Sequence, residues 1–325
     1  MSLLERLLSP KAVVGMVSGA IALALLLSFA DIRQVGQAFE RFPPILLPTI
    51  LALIFAREAV RVVEWHYLLT ALGLRPLVRH SMLTLLGGDA SQILPAGVYF
   101  QNYLLQRAEG TAFSTSLAAT LAMQLLEAAV SLVVLVVVGV PGWDWLRPVT
   151  LVVLVGYAVF LILVSRRGVV DWLERRAANK RWSGLILDQL AKFLEGLEGL
   201  MRPGVILRAG ILTAAYLAFT VAAFYVTLKA YGLPHVGPGE AAAIYCFVLT
   251  LIILVPLPSD WGLSEGGGVT ILLAYGVPLA EGLTIMLIIR FATLLFTEVI
   301  AGGALLAMRG EIGHITGELH DAPAR

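Results

Sequence analysis

Apolar residues are arranged along this chain in long blocks, separated by short polar stretches. A bilayer with a hydrocarbon core about 30 Å thick requires about 20 consecutive apolar residues of helix. The blocks that fit or approach this length cover residues 12–30, 44–69, 117–140, 149–164, 205–231, 241–255 and 280–307. The pattern predicts an all-α polytopic membrane protein with seven transmembrane helices, or eight if an irregular segment also crosses.

Composition supports this class and excludes several others. The 325 residues are 59% hydrophobic and 14% charged, with a mean hydropathy of +0.88, whereas soluble domains carry about a quarter charged residues. A net charge of +1 leaves no basic face for nucleic acid. The single cysteine, Cys246, excludes an internal disulfide and a cysteine-built metal site. The histidines show no metal-binding spacing and no Walker loop is present, so we expect no metal, no cofactor and no intrinsic ATPase.

The distribution of basic residues predicts the topology. The connector at 166–208 holds nine basic and five acidic residues, and an excess of Lys and Arg marks cytoplasmic loops. This places the N-terminus in the cytoplasm and makes block 12–30 an uncleaved first span of an inner or plasma membrane protein. Within the connector, apolar residues at 185–201 recur at helical spacing. They predict an amphipathic helix, which lies either on the inner membrane surface or against the rest of the protein.

Two segments are too polar and too rich in Gly and Pro to cross as regular helices. The first covers residues 83–105 and the second 254–275. Each starts and ends on the same predicted side, so each is expected to form a re-entrant hairpin or a broken helix. In the second segment, the helix is expected to resume at Val269. The expected hairpin backbone positions are Pro95, Gly97, Pro256, Pro258, Gly262 and Gly266.

The two segments occupy corresponding places in the two halves of the chain. Each follows two long blocks, carries a Leu-Pro pair and a short polar turn, and precedes a full span. This predicts an internal repeat in one membrane domain: a first repeat at 12–140, a linking span and connector at 141–204, a second repeat at 205–308, and a polar tail at 309–325. Broken helices at corresponding positions of two halves point to a transporter's binding site. The repeat is either parallel or inverted.

Residues Pro256 to Gly266, PLPSDWGLSEG, resemble the P-x-P-G-G-x-G-x-x-E-G signature of the flippase-like membrane domain of lysylphosphatidylglycerol synthases. The similarity extends over nearly the whole chain and includes the span that carries Arg290. The first hairpin departs from the family pattern P-x-R-x-G-E-x-x-R, because it reads PAGVYFQN and lacks the arginine and the acid. In the next span, only Glu127 remains of the family's E-R-x-x-D. The resemblance implies lipid translocation, without the soluble aminoacyl-transferase domain of the long members.

Charged residues inside the blocks are the candidate functional residues, because a charge at the bilayer centre costs about 2.5 kcal/mol or more. Arg57, Arg61 and Glu64 share one helical face, either as a ladder that grips a lipid phosphate or as a structural pairing with another helix. Arg290 requires a partner, with Glu265 expected first, Asp260 next, and Glu127 as the other candidate. Asp89 is expected to cap a helix. The full set of predicted substrate-pathway residues is Arg57, Arg61, Glu64, Gln101, Asn102, Glu127, Asp260, Glu265, Arg290 and Glu298.

These features favour a lipid translocase that moves a phospholipid or polyprenyl-type lipid across the cytoplasmic membrane. The alternatives are a membrane-embedded enzyme, with Asp260 and Glu265 as its carboxylates, and an accessory subunit of lipid synthesis. A transporter requires a through-going lateral cavity, whereas an enzyme requires convergent acids, usually with Mg²⁺. The expected partner is a membrane lipid, and the candidate protein partners are a second copy of the chain and a lipid-synthesis enzyme.

The predicted topology can be tested by cysteine labelling. A thiol introduced by Lys180→Cys should be protected from a membrane-impermeant reagent in intact cells, because the basic connector is expected to face the cytoplasm. Ready labelling from outside would reverse the topology.

Overall fold

In a computed structural model, the chain is described at residues 32–89, 99–140, 143–164, 183–233, 236–254 and 262–320. Within these ranges every regular element is helical. The helices, in chain order, are α1 (Ile32–Arg41), a 3₁₀ turn (Pro44–Leu46), α2 (Leu47–Ala71), α3 (Val78–Asp89), α4 (Phe100–Glu109), α5 (Phe113–Val138), α6 (Leu146–Val164), α7 (Ser183–Leu200), α8 (Pro203–Ala230), α9 (Pro238–Leu254), α10 (Leu263–Ala274) and α11 (Leu279–His320).

Three described helices are long and apolar enough to cross a membrane. They are α5, α8 and the Leu279–Met308 part of α11, which confirms the spans predicted at 117–140, 205–231 and 280–307. Shorter apolar stretches occur in α6, α9 and α10. The block at 44–69 forms α2, a helix of 25 residues that carries four charged side chains. The block at 12–30 lies outside the described residues. The chain is therefore a helical membrane protein.

Helices α2, α5 and α8 form the centre of the bundle. The α2–α8 pair makes the most extensive helix contact, and α5 packs against both. One apolar cluster joins Trp65 and Leu68 of α2 to Ala118 and Ala122 of α5. A larger cluster joins α8 to α9, α10 and α11. The charged face of α2 is thus enclosed by other helices.

The first irregular segment reverses direction between α3 and α4. In a continuous helix, Gly88 and Gln101 would be about 20 Å apart. Here a Cβ placed on Gly88 would lie 2.6 Å from the Cβ of Gln101. At the other end, the Leu77 N–H donates to Oε1 of Glu109 at 3.0 Å. The two short helices are therefore the arms of an antiparallel hairpin, as the sequence predicted, and its tip at 90–98, with Pro95 and Gly97, lies outside the described residues.

The second irregular segment also reverses direction. A Cβ on Gly267 of α10 would lie 2.8 Å from Cδ1 of Leu251 in α9, although these residues would be about 24 Å apart in a continuous helix. Residues 255–261, which include Pro256, Pro258 and Asp260, lie outside the described part. The predicted start of the following helix was wrong: the helix resumes at Leu263 rather than Val269. Gly266 therefore lies inside α10, and only Gly262, at φ +81°, adopts the left-handed region that favours glycine in this turn.

Both hairpins pack against α11. The side chain of Leu305 lies against Gly87 of α3, and Met286 lies against Gly268 of α10. Glycine at these positions allows the helices to approach closely. The long closing helix therefore connects the two hairpins, and their direct approach to one another stays a prediction.

The connector helix α7 packs against the rest of the protein. Leu194, Leu197 and Leu200 are buried, and Gly196 lies against Ala118 of α5 and against Leu72, which directly follows α2. Of the two positions expected for the amphipathic helix, this part of α7 therefore adopts the one against the rest of the protein. The helix covers one end of the α2–α5 pair.

Gly88 provides a test of the first hairpin. Gly88→Ala should destabilise the protein by about 1–3 kcal/mol, because the added methyl group meets the backbone of Gln101. Gly210→Ala in α8 is the matched control, since nothing lies within 4 Å of its Cβ position, and it should be neutral or slightly stabilising. Thermal unfolding of both variants in detergent measures the difference. Equal stability of the two variants would show that the arms are not this close.

Candidate functional site

The charged face of α2 lies near the middle of the bundle. Arg61 is 14 residues after the start of α2 and 10 before its end. Glu127 holds a similar central position in α5, and Tyr216 in α8. Because α5 and α8 both have the length of a transmembrane span, the three positions meet near its midpoint. The side chains here must therefore satisfy one another's charges and hydrogen bonds.

Arg61 is the centre of this group. Its Nη2 lies 3.1 Å from Oε2 of Glu127 on α5, and its Nη1 lies 3.8 Å from Oε2 of Glu64, one turn along α2. The guanidinium carbon is 4.5 Å from the ring centroid of Tyr216 on α8. One arginine thus connects three helices through two carboxylates and a cation–π contact. The sequence had left Glu127 as a candidate partner for Arg290, but its pair is Arg61.

Arg57 lies one turn before Arg61 and faces the same aromatic ring. Its guanidinium carbon is 5.5 Å from the Tyr216 centroid, and it forms an ion pair with the adjacent Glu58. The Nε of Arg57 donates to Oε1 of Glu58 at 3.0 Å. Two guanidinium groups therefore contact the ring of Tyr216. Sequence reasoning missed Tyr216, whose only signal is a phenol in the middle of an apolar span.

Glu64 is the most enclosed acid of the group, with a side chain that is 0% exposed. Its Oε1 accepts a hydrogen bond from the Thr213 hydroxyl at 2.6 Å. Within the described part of the chain, its Oε2 makes no hydrogen bond. Thr213 was also missed from the sequence, although it lies three residues before Tyr216, at the spacing that puts both side chains on one helical face.

A second charged pair joins α10 to α11. The Nε of Arg290 lies 3.6 Å from Oε1 of Glu265, and its Nη1 is 3.5 Å from the Ser264 hydroxyl. The other oxygen of Glu265 accepts the Gly262 N–H at 2.6 Å, which satisfies a backbone donor at the first turn of α10. The predicted pairing of Arg290 with Glu265 is thus confirmed, and Glu265 also serves as the cap of its own helix.

Tyr245 of α9 interacts electrostatically with residues of both charged groups. Arg57, Glu127 and Arg290 all act electrostatically on its phenol. Tyr216 and Tyr245 also interact electrostatically. The α2 face and the Arg290–Glu265 pair therefore belong to one polar region, which we call the central charged cluster: Arg57, Glu58, Arg61, Glu64, Glu127, Tyr216, Tyr245, Glu265 and Arg290.

Some predicted residues lie apart from this cluster. The Gln101 amide donates to the Thr120 hydroxyl at 2.8 Å, and that hydroxyl donates to Oδ1 of Asn102 at 3.0 Å. These two residues fasten α4 to α5. Glu298 is partly exposed on α11, and no described contact joins it to Arg290. Asp260 lies outside the described residues.

Asp89 is the last residue of α3 and is buried. It does not begin a described helix, and its carboxylate acts electrostatically on Arg61. The end of the first hairpin arm thus contributes an acid to the edge of the central charged cluster.

The arginines keep some accessible surface, whereas Glu64 and Glu265 are enclosed. The side chains of Arg61 and Arg290 are each 17% exposed, and that of Glu127 is 13% exposed. The planar fork of arginine binds carboxylate and phosphate alike. An anionic group that reaches these arginines would therefore compete with Glu127 and Glu265 for the same donors.

The model of the family described as "Lysylphosphatidylglycerol synthase TM region" matches residues 12–301 of this chain. The match spans both hairpins and every residue of the central charged cluster. Among proteins of curated function, none matches the chain significantly.

The buried network around Arg61 should carry much of the stability of the bundle. Arg61→Met should cost about 3–5 kcal/mol, because it leaves Glu64 and Glu127 without their cation. Arg41→Met is the matched control: Arg41 also pairs with a glutamate, Glu281, but its side chain is 68% exposed, so the cost should stay within about 1 kcal/mol. Unfolding in detergent compares the two, and similar losses would contradict the buried network.

Proposed function

The chain belongs to the family of the lysylphosphatidylglycerol synthase transmembrane region, and on this basis we propose that it is a lipid translocase. It would move a phospholipid or polyprenyl-type lipid across the cytoplasmic membrane without an ATPase of its own. The observation that carries the proposal is the pair of arginines, Arg57 and Arg61, stacked on Tyr216 near the middle of the bundle. Intramembrane charges are costly, so such residues typically mark a substrate pathway.

The lipid headgroup would travel along the central charged cluster while the acyl chains stay in the bilayer. Arg61 and Arg290 retain accessible surface, and each holds a carboxylate that a phosphate can replace. Tyr216 and Tyr245 add hydroxyl groups between them. The cluster thus offers hydrogen-bond donors at several successive positions from α2 to α11, rather than one closed binding pocket.

The proposed topology has seven to eight spans with a cytoplasmic N-terminus. The arms of the first hairpin contain 12 and 10 residues, which is about 18 Å and 15 Å of helix. Neither arm alone crosses a hydrocarbon core about 30 Å thick. We therefore propose that both hairpins are re-entrant and that they occupy corresponding places in the two repeats, 12–140 and 205–308.

The alternative is an enzyme or an accessory subunit of lipid synthesis. The family description itself favours it, because it names the membrane region of a synthase. A subunit of this kind would bind the lipid product and present it to a separate enzyme. Reconstitution of the purified chain alone separates the two, since a translocase should move lipid in liposomes without any added enzyme.

The Arg290–Glu265 pair supplies the sharpest test of translocation. Arg290→Ala should abolish most lipid movement, and Arg290→Lys should impair it less, because lysine keeps the charge but loses the bidentate fork. Arg290→Met removes the charge and keeps an apolar side chain of similar length. The measurement is the rate at which labelled phosphatidylglycerol crosses the bilayer of reconstituted liposomes.

Arg41→Met is again the control, since Arg41 lies outside the central charged cluster, and it should move lipid at the normal rate. If the Arg290→Met variant is stably folded and equally fast, Arg290 is only structural and the proposed pathway is wrong.

A further inference from the structure

Acids outnumber bases in the region of the central charged cluster. The described bases are Arg57, Arg61 and Arg290. The described acids are Glu58, Glu64, Glu127 and Glu265, with Asp89 at the edge. Three positive charges thus face five carboxyl groups. With every group ionised, this region would hold two uncompensated negative charges within the membrane, where each is strongly disfavoured.

The neighbouring undescribed segments supply no base in their sequences. Residues 90–98 read ASQILPAGV and residues 255–261 read VPLPSDW, so the only ionisable group they add is Asp260, another acid. The predicted first span at 12–30 has no charged residue. The excess of acid is therefore a property of the sequence in this region, and protons are the simplest compensating charge.

The excess is concentrated where Arg61 meets two carboxylates. Glu127 is the closer partner, at 3.1 Å, whereas Glu64 is 3.8 Å away. Two carboxylates that share one cation in a low-dielectric site cannot both ionise readily, so the pair takes up a proton as a unit. Because Arg61 neutralises Glu127 better, the proton belongs on Glu64 in this arrangement.

The surroundings of Glu64 agree with that assignment. Its side chain is fully enclosed, and its Oε2 makes no hydrogen bond to any residue that the structure describes. The groups that act on it are Arg61 of α2, Glu127 of α5 and the Thr213 hydroxyl of α8. The other charged and titratable groups of this region are Arg57, Glu58, Tyr216, Tyr245, Glu265 and Arg290, with Asp89 at its edge. A headgroup ammonium is too large to reach this oxygen, but a proton is not.

We propose that Glu64 holds a proton while Arg61 pairs with Glu127, that Glu127 binds a second, exchangeable proton when it loses Arg61, and that this exchange couples lipid movement to a proton gradient. The coupling rests on the proposed translocase function. A lipid phosphate that binds Arg61 displaces Glu127, and the displaced carboxylate then accepts a proton. When the phosphate leaves, Arg61 pairs with Glu127 again and that proton is released. Nothing else is consumed, since the step is the protonation of a carboxylate and its reversal.

The proton site can be tested without any transport measurement. Infrared difference spectra of the purified full chain in lipid nanodiscs report the C=O stretch of protonated carboxyl groups. At neutral pH, the wild-type protein should show such a band, and Glu64→Gln should weaken it by the contribution of one carboxyl group. Glu281→Gln is the control, because Glu281 belongs to an exposed ion pair with Arg41, and it should keep the band. A wild type without the band, or a band of unchanged intensity in Glu64→Gln, would overturn the site.

The coupling is tested in liposomes that contain labelled phosphatidylglycerol, with and without an imposed pH difference. One pH unit corresponds to a tenfold bias per proton, so the wild type and Glu281→Gln should respond by up to about tenfold. Glu127→Gln should respond little, because it lacks the carboxyl group that exchanges the proton. If the wild type moves lipid at the same rate with and without the pH difference, the coupling is wrong and the translocase function is still supported. If the wild type moves no lipid, the translocase proposal and the coupling both fail, and the infrared result alone decides the proton site.

Discussion

The requirement that charges inside the bilayer be paired across helices organises this structure. Arg61 satisfies it by contacting Glu127 of α5 and Tyr216 of α8 from its own position on α2. No apolar contact specifies rotation and depth of three helices at once, because lipid tails and leucine side chains are equally apolar. A misrotated helix would leave an ionised group in hydrocarbon. The buried network therefore fixes the arrangement of the central bundle as well as providing its chemistry.

The polar groups of the backbone also need partners, and this requirement applies where the helices of the hairpins end. A helix that ends within the membrane leaves N–H and C=O groups that need partners. At the start of α10, Glu265 accepts the Gly262 N–H with one oxygen and faces Arg290 with the other. One carboxylate thus completes the end of a broken helix and connects it to the closing helix. A ligand that draws Arg290 away would act directly on the geometry of this turn.

The stabilising contacts and the proposed transport chemistry use the same groups. A guanidinium that pairs with a carboxylate is also prepared to bind a phosphate, because the two anions present similar oxygen pairs. The surplus of acid over base around Arg61 adds a further property, since it leaves a carboxyl group whose charge depends on where the arginine lies. In the proposed cycle, Arg61 pairs either with Glu127 or with the phosphate of a lipid headgroup, and Glu127 binds a proton while the phosphate is bound. The ring of Tyr216 holds Arg61 in place.

The sequence alone determined the class of protein, the positions of the three long apolar spans and the reversals of the chain after α3 and α9. These depend on local composition: apolar length defines a span, and Pro, Gly and polar residues interrupt one. It also identified Arg57, Arg61, Glu64, Glu127, Glu265 and Arg290, because a charge within an apolar block is conspicuous. Tertiary structure decided which of them meet. Glu127 pairs with Arg61 rather than Arg290, and Thr213 and Tyr216 complete the group, because partners on different helices depend on rotation and packing that no local pattern records.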